Sequence, residues 1–299
     1  LPSLTYRRTI AVAAAILGFV IVSSVAYYTF VYTRPMTSPQ YLVQDIAPGS
    51  NKATLTLSTG QQIVLDNTKD GDIAQVPGVT IKKTKEGKLI YTVSKNSNNT
   101  VSPNQVNTVT TPKGGQYEIV LEDGTKVWLN AASKITFPAS FNGLKERPVV
   151  LTGEAYFEVT KNPRKPFSVR STEQLVTVTG THFNVSCYPD EKTQTTLAQG
   201  SVVVFHPATR KKLFMKPGEH TTINHLNGIK VQEVNPEDAF AWKDGLFEFV
   251  QTPLHQVLAQ IGRWYNVEVD YTGIPNENFE GEISRKISLS QVFELLEAS

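Results

Sequence analysis

The sequence predicts a mainly β exported region of repeated hairpins, sandwich- or solenoid-like in layering. A small C-terminal α/β domain of split βαβ type follows it, and one N-terminal transmembrane helix precedes it. Three observations predict this. Residues 9–33 carry no charge and are rich in Ile, Val, Leu and Phe. Short alternating strands separated by turn residues fill the chain from Ala53 to about Val234. After Pro236 the apolar period lengthens from two to that of an amphipathic helix.

The apolar run comes first. A helix needs about 20 such residues to cross the hydrocarbon. Ile10 to Val31 supplies them, and Tyr27, Tyr28 and Tyr32 cluster at one end as interfacial aromatics do. The run exceeds the roughly 7–15 residues of a signal-peptide core and lacks a small-residue cleavage site, so a retained anchor is expected. Arg7 and Arg8 precede it and only Arg34 follows closely, which places the N-terminus in the cytoplasm. The expected location is the inner membrane, single-pass, with the bulk of the chain periplasmic.

Pro35, Pro39 and Pro48 mark a juxtamembrane linker. Residues 54–66 then read as strand, turn, strand, and residues 117–130 repeat the pattern. Both follow Leu-x-x-Gly-x-x-(Ile/Val)-x-Leu-(Asp/Asn), with Gly60 and Gly124 where a hairpin needs positive φ. Ser94 to Pro112, rich in Asn, Ser and Thr, reads as a loop or domain linker. Further strands are expected at 149–151, 155–159, 167–169, 175–178, 182–187, 195–198, 201–205 and 221–223.

Beyond Pro236, Leu246–Phe249 reads as a strand. Thr252 and Pro253 open a helix with the stripe Leu254, Val257, Leu258, Ile261 and Trp264/Tyr265. Val267–Tyr271 and Phe279–Ile283 read as strands, and Ser288 or Ser290 caps a last helix. The domain map is 1–8 cytoplasmic stub, 9–32 membrane helix, 33–107 linker and first β segment, 108–235 β domain, and 236–299 the small βαβ-βα domain. Its closing strand is expected beyond Ser299.

Composition narrows the function. The 299 residues are 40% hydrophobic and 19% charged, as in folded protein. The formal charge of +2 is spread over both signs, which excludes a strong nucleic-acid binder. The one cysteine, Cys187, lies in a strand pattern and reads as a buried side chain. The five histidines (His182, His206, His220, His225, His255) lack a metal spacing, and no cofactor motif is present. Glu154 and Glu158 share a strand face roughly 13 Å apart at about 3.3 Å per residue. That exceeds the roughly 5–9.5 Å of glycosidase pairs, so both are assigned to surface or turn-pinning roles. Trp128, Trp242 and Trp264 read as core anchors.

Five stretches in series carry a family resemblance. They are Asp123–Ser133 (DGTKVWLNAAS), Leu151–Val159 (LTGEAYFEV), Lys161–Phe167 (KNPRKPF), Gly180–Val185 (GTHFNV) and Leu197–Val202 (LAQGSV). With the membrane run ahead of them, residues 34 to about 234 resemble the periplasmic region of FecR-family anti-sigma factors of the Bacteroidetes type. From Ala241–Gly245 (AWKDG) onward the chain resembles the small C-terminal domain of such proteins, itself similar to the short N-terminal domain of secretins and TonB-dependent transducers.

The resemblance implies a signal relay from the signalling domain of an outer-membrane TonB-dependent receptor to a cytoplasmic ECF sigma factor. In the family an N-terminal cytoplasmic domain holds the sigma factor. Only eight residues precede the apolar run here and the first is Leu1, so that domain is expected outside these residues. The chain reads as a non-enzyme. The Gly180–Thr181 bond is the one candidate for self-cleavage, through attack of the Thr hydroxyl on the preceding carbonyl. Candidate partner-binding residues are Leu246, Phe247, Glu248, Phe249, Phe279, Glu280, Gly281, Glu282 and Ile283, which would accept a partner by strand addition. The competing reading is a membrane-anchored periplasmic protein that binds glycan or another envelope component.

Overall fold

The computed structural model describes Tyr27 and residues 45–66, 69–76, 79–93, 105–224 and 228–298. The expected membrane helix, apart from Tyr27, and the linker to residue 44 lie outside the described residues, as does most of the Asn/Ser/Thr-rich loop. Among the described residues no helix is long and apolar enough to cross a membrane. Residues 45–299 form one compact unit, with a β body up to Val234 and a smaller C-terminal lobe after it.

The body consists of two sheets that share one long strand, Arg147–Glu158. Its first part pairs with Lys134–Pro138 on one side and, in parallel, with Phe167–Arg170 on the other. From Gly153 onward it pairs instead with Lys126–Leu129 and His182–Cys187 of the second sheet. The strand changes sheets at Gly153, where φ is +93° and an added Cβ would lie 2.4 Å from Ser133 Oγ. Only glycine fits that corner.

One apolar core lies between the sheets. Tyr91 of one meets Phe137 of the other edge-on at 5.1 Å, and Phe157 meets Phe167 at 6.0 Å. Alternation feeds this core elsewhere: Gly115–Val120 and Val202–His206 bury every second residue. Each large apolar side chain fully buried here stabilises by about 1.5–3 kcal/mol. The core takes in Leu55, Leu65 and Ile81 as well as residues after 108, and Val106–Thr110, expected within the loop that runs to Pro112, is instead a strand paired on both sides that runs across residue 107.

The expected hairpin repeat is present in the backbone. In the first copy Gly60 N–H donates to Leu57 O and Leu57 N–H to Gln61 O, both at 2.9 Å. In the second, Gly124 and Leu121 make the same pair of bonds to Leu121 O and Thr125 O. Thr84–Lys88 is a third copy, with Gly87 at φ +80° beside +85° and +82° at Gly60 and Gly124. Its Thr84 replaces the leucine of the other two, so the sequence skeleton did not reveal it.

In the C-terminal lobe, Leu246–Pro253 pairs antiparallel with Asn278–Ser284. Helices α1 (Leu254–Tyr265) and α2 (Leu289–Glu297) pack Val257, Ile261, Trp264, Leu289 and Val292 around Phe247, Phe249 and Ile283. Of the two expected caps, Ser288 is the N-cap of α2, in a capping box with Gln291. Two local expectations are corrected. Thr252 and Pro253 end the strand, and Pro253 occupies the N-cap position. Val267–Tyr271 is irregular rather than a strand: α1 ends in left-handed Asn266, and the chain beyond it finds no ladder partner among the described residues.

Candidate functional site at the junction of the lobes

The partner-binding candidates lie together. Leu246–Phe249 and Phe279–Ile283 pair with each other, with Phe247 opposite Ile283 and Glu248 opposite Glu282. Phe247 and Phe249 stack at 5.9 Å on the buried face, which turns Glu248 and Glu282 to the other side. Burial, then Asp238 and Glu282, raise the Glu248 pKa. The sheet has only two strands, so among the described residues each strand has one outer edge without a ladder partner. Gln251, at φ +48°, bulges the first strand and donates to Glu280 Oε2 at 2.5 Å.

The lobe is bolted to the β body. Arg285 follows the second strand and is 2% exposed. Its guanidinium lies over the Trp264 ring at 3.8 Å and donates to Trp242 O at 3.0 Å and to Asn130 Oδ1 at 2.9 Å. Burial pulls its pKa down to about 10, so it is charged at neutral pH. Asn130 passes the contact on, donating from Nδ2 to Glu154 Oε2 at 2.7 Å, while Asn184 donates to Glu154 Oε1 at 2.9 Å. Burial raises the Glu154 pKa against these two hydrogen bonds and the charge of Arg263. Arg263, on the last turn of α1, lies over the Tyr188 ring at 3.9 Å and pairs with Glu191. Tyr188 in turn donates to Ala131 O at 2.8 Å.

A cleft of about 1030 Å³ opens beside this network, lined among others by Glu154, Asn184, Tyr188, His220, Trp242 and Arg263. Asn184 Oδ1 and Trp242 Nε1 are buried there without a hydrogen-bond partner among the described residues. Glu154 has the pinning role expected for it, whereas Glu158 pairs with Lys126 at 3.3 Å. Trp242 and Trp264 are buried as expected, whereas Trp128, also expected as a core anchor, is half-buried on the strand face opposite core residues Val127 and Leu129 and packs on Tyr156 at 5.7 Å. Arg285 and Arg263 escaped sequence reading, because nothing in their spacing tells that they meet Asn130 and Tyr188 more than 70 residues away.

At the remaining candidate bond, Thr181 is 2% exposed and its hydroxyl donates to Ser201 O at 2.9 Å. The Thr181 carbonyl accepts from Val159 N–H, and Gly200 packs directly on the Gly180–Thr181 peptide. Cys187 is buried, with its thiol toward Gly153 O at 3.2 Å, and burial pushes its pKa up to about 12. Its sulfur is therefore a poor nucleophile. Among the described residues no group of three His, Cys, Asp or Glu side chains is arranged to hold a metal.

Residues 107–203 match the family model described as FecR protein, and residues 246–299 match the one described as FecR, C-terminal. A crystal structure at 1.65 Å of a proposed anti-sigma factor from Parabacteroides distasonis ATCC 8503 is similar. Its TM-score is 0.59 at 29% identity, covering 64% of this chain and 90% of that one. A second crystal structure at 2.50 Å, with the same description and source, gives a TM-score of 0.60 at 29% identity, covering 64% of this chain and 91% of that one. No curated protein matches the sequence.

Proposed function

The chain belongs to the FecR family, and from that premise we propose that it is a membrane-anchored anti-sigma factor and signal transducer. In this reading residues 9–32 anchor it in the inner membrane, its N-terminus is cytoplasmic and its folded unit is periplasmic. The signalling domain of an outer-membrane TonB-dependent receptor docks on the C-terminal lobe, and an ECF sigma factor is held on the cytoplasmic side by a domain outside these residues. The chain acts by binding and carries no catalytic step.

The observation that carries the reading is the pair of family matches in series, on two lobes joined through Arg285 and Asn130. A relay needs a receiving surface that is mechanically continuous with the rest of the chain. In this reading the two-stranded sheet is that surface, its outer edges offering backbone groups for strand addition. The commitment of the Thr181 hydroxyl to the Ser201 carbonyl, rather than to a base, supports an intact Gly180–Thr181 bond.

The test is co-purification of the full-length membrane protein with its host's sigma factors, with and without the inducing stimulus. One ECF sigma factor should be retained without stimulus and lost with it. Retention of none, or equal retention in both states, refutes the reading. Capture of the receptor's signalling domain should fall at least tenfold in Glu282→Pro and Glu282→Arg. Unchanged capture removes the sheet edges from the account.

A further inference from the structure

Residues 45–51 form a strap that touches both lobes in turn. Asp45 Oδ2 accepts from the Ser290 hydroxyl at 2.8 Å and Oδ1 from Ser290 N–H at 3.2 Å, at the N-terminus of α2. Leu289 N–H donates to Ile46 O at 3.0 Å, and the Ile46 side chain packs on the core of the C-terminal lobe. Gly49 lies against the Trp264 ring, where an added Cβ would come within 2.7 Å. Ser50 and Asn51 then pair in parallel with Gly115 and Gln116 of the body.

The two ends of the strap are held differently. The Asp45–Ser290 contacts are exposed, and hydrogen bonding to Ser288 and Ser290 lowers the Asp45 pKa. A carboxylate there is favoured by the helix dipole, yet it is open to competition from water and salt. The other end sits against buried Trp264 and leads within a few residues into the main core at Ala53 and Leu55. The first end opens more easily than the second.

The grip is also continuous with the candidate docking edge. Phe247, Phe249 and Ile283 of the two-stranded sheet share one core with Leu289 and Val292 of α2, and Ile46 packs on that core. Contiguous packing of this kind is the route by which docking on the sheet would reach the helix N-terminus that holds Asp45. Asp45 is also the first residue of the folded unit after the stretch that leads from the expected anchor.

We infer that the grip of Ser288–Ser290 on Asp45 and Ile46 is the release point of the relay: docking on the C-terminal lobe opens it and frees the chain on the membrane side while the β body stays folded. This rests on the signalling reading above and adds the residues through which the signal leaves the folded unit.

The test uses the full-length chain in membranes, read by hydrogen exchange and by sigma-dependent transcription. Asp45→Ala should speed exchange at Leu289 and Ser290 about fivefold, the loss of one helix-capping contact. Exchange at Val109 and Phe183 should stay unchanged, and basal transcription should move toward the stimulated level. Asp45→Asn, which keeps an acceptor, should recover most of both effects. A disulfide between Asp45→Cys and Ser290→Cys should hold transcription at the unstimulated level when the stimulus is given, and reduction should restore the response. Wild-type exchange at Leu289 and Ser290 in Asp45→Ala overturns the inference. So does a cross-linked chain that responds normally. The signalling reading is judged separately: if no sigma factor is retained by the wild-type chain, that reading fails whatever the exchange shows.

Discussion

Arg285 of the C-terminal lobe and Asn130 of the β body are 155 residues apart and joined by a 2.9 Å bond from Nη2 to Oδ1. Asn130 closes the second hairpin repeat, and Arg285 follows the edge strand Asn278–Ser284. The bond thus links the proposed docking sheet with the repeat that builds the body. Its donor also lies over Trp264 and is almost fully buried, so its charge has few other partners.

Removing that donor should cost about 2–4 kcal/mol, since it takes away a charged hydrogen bond and a desolvated cation–π contact together. Arg285→Ala is therefore expected to lower the denaturant midpoint of the folded unit and to add an early transition as the lobe detaches. Arg285→Lys should not restore stability, because a point charge cannot reach Trp242 O and Asn130 Oδ1 at once. Equilibrium unfolding followed by tryptophan fluorescence reads both variants.

Within the body the corresponding bolt is Arg147, 1% exposed, which pairs with Asp123 at 2.5 Å and donates to Thr160 O and Lys165 O. Asp123 also caps the repeat turn through Thr125 N–H at 3.0 Å. Arg147→Ala leaves that carboxylate uncompensated and should cost about 3–5 kcal/mol. Arg147→Ala with Asp123→Asn should cost less than the sum of the single changes, a coupling that a double-mutant cycle measures.

Two glycines with similar φ should respond differently to alanine. Gly60 has open space around its missing Cβ, so Gly60→Ala should cost only about 1 kcal/mol, the strain of positive φ. Gly153→Ala adds a clash with Ser133 at the sheet-switching corner and should cost about 2–4 kcal/mol. Urea midpoints of the two variants give the comparison.

Glu154 sets a pH dependence. Burial raises its folded-state pKa above the ordinary 4.5, so the folded state holds this proton more tightly than the unfolded chain does. Its contribution is fully present below the unfolded value and is lost as pH rises through the raised one. Glu154→Gln should flatten the fall in stability across that window. Stability measured from pH 4 upward in both proteins checks the sign, and an unchanged slope assigns the effect elsewhere.

Much of this architecture was legible from local pattern. Alternation in stretches such as 182–187 fixes which side chains face the core, and Leu-x-x-Gly marks two hairpins by the one residue type that accepts their turn. The 3.6-residue stripe from Leu254 to Tyr265 finds α1. What failed was long-range or compensated by tertiary contacts. The parallel pairing of Arg147–Val150 with Phe167–Arg170 has no local signature. Val267–Tyr271 alternates like a strand but finds no partner to pair with among the described residues. The contacts of Arg285 with Asn130 and of Asp45 with Ser290 join residues 155 and 245 positions apart, and each partner alone looks like an ordinary surface residue.

Sigma-dependent transcript levels in cells expressing the full-length protein, compared with cells lacking it, probe the regulatory role most directly. The anti-sigma reading expects one set of transcripts to follow the stimulus in the first strain and to lose that response in the second. Identical transcript profiles in the two strains, with and without stimulus, would contradict it.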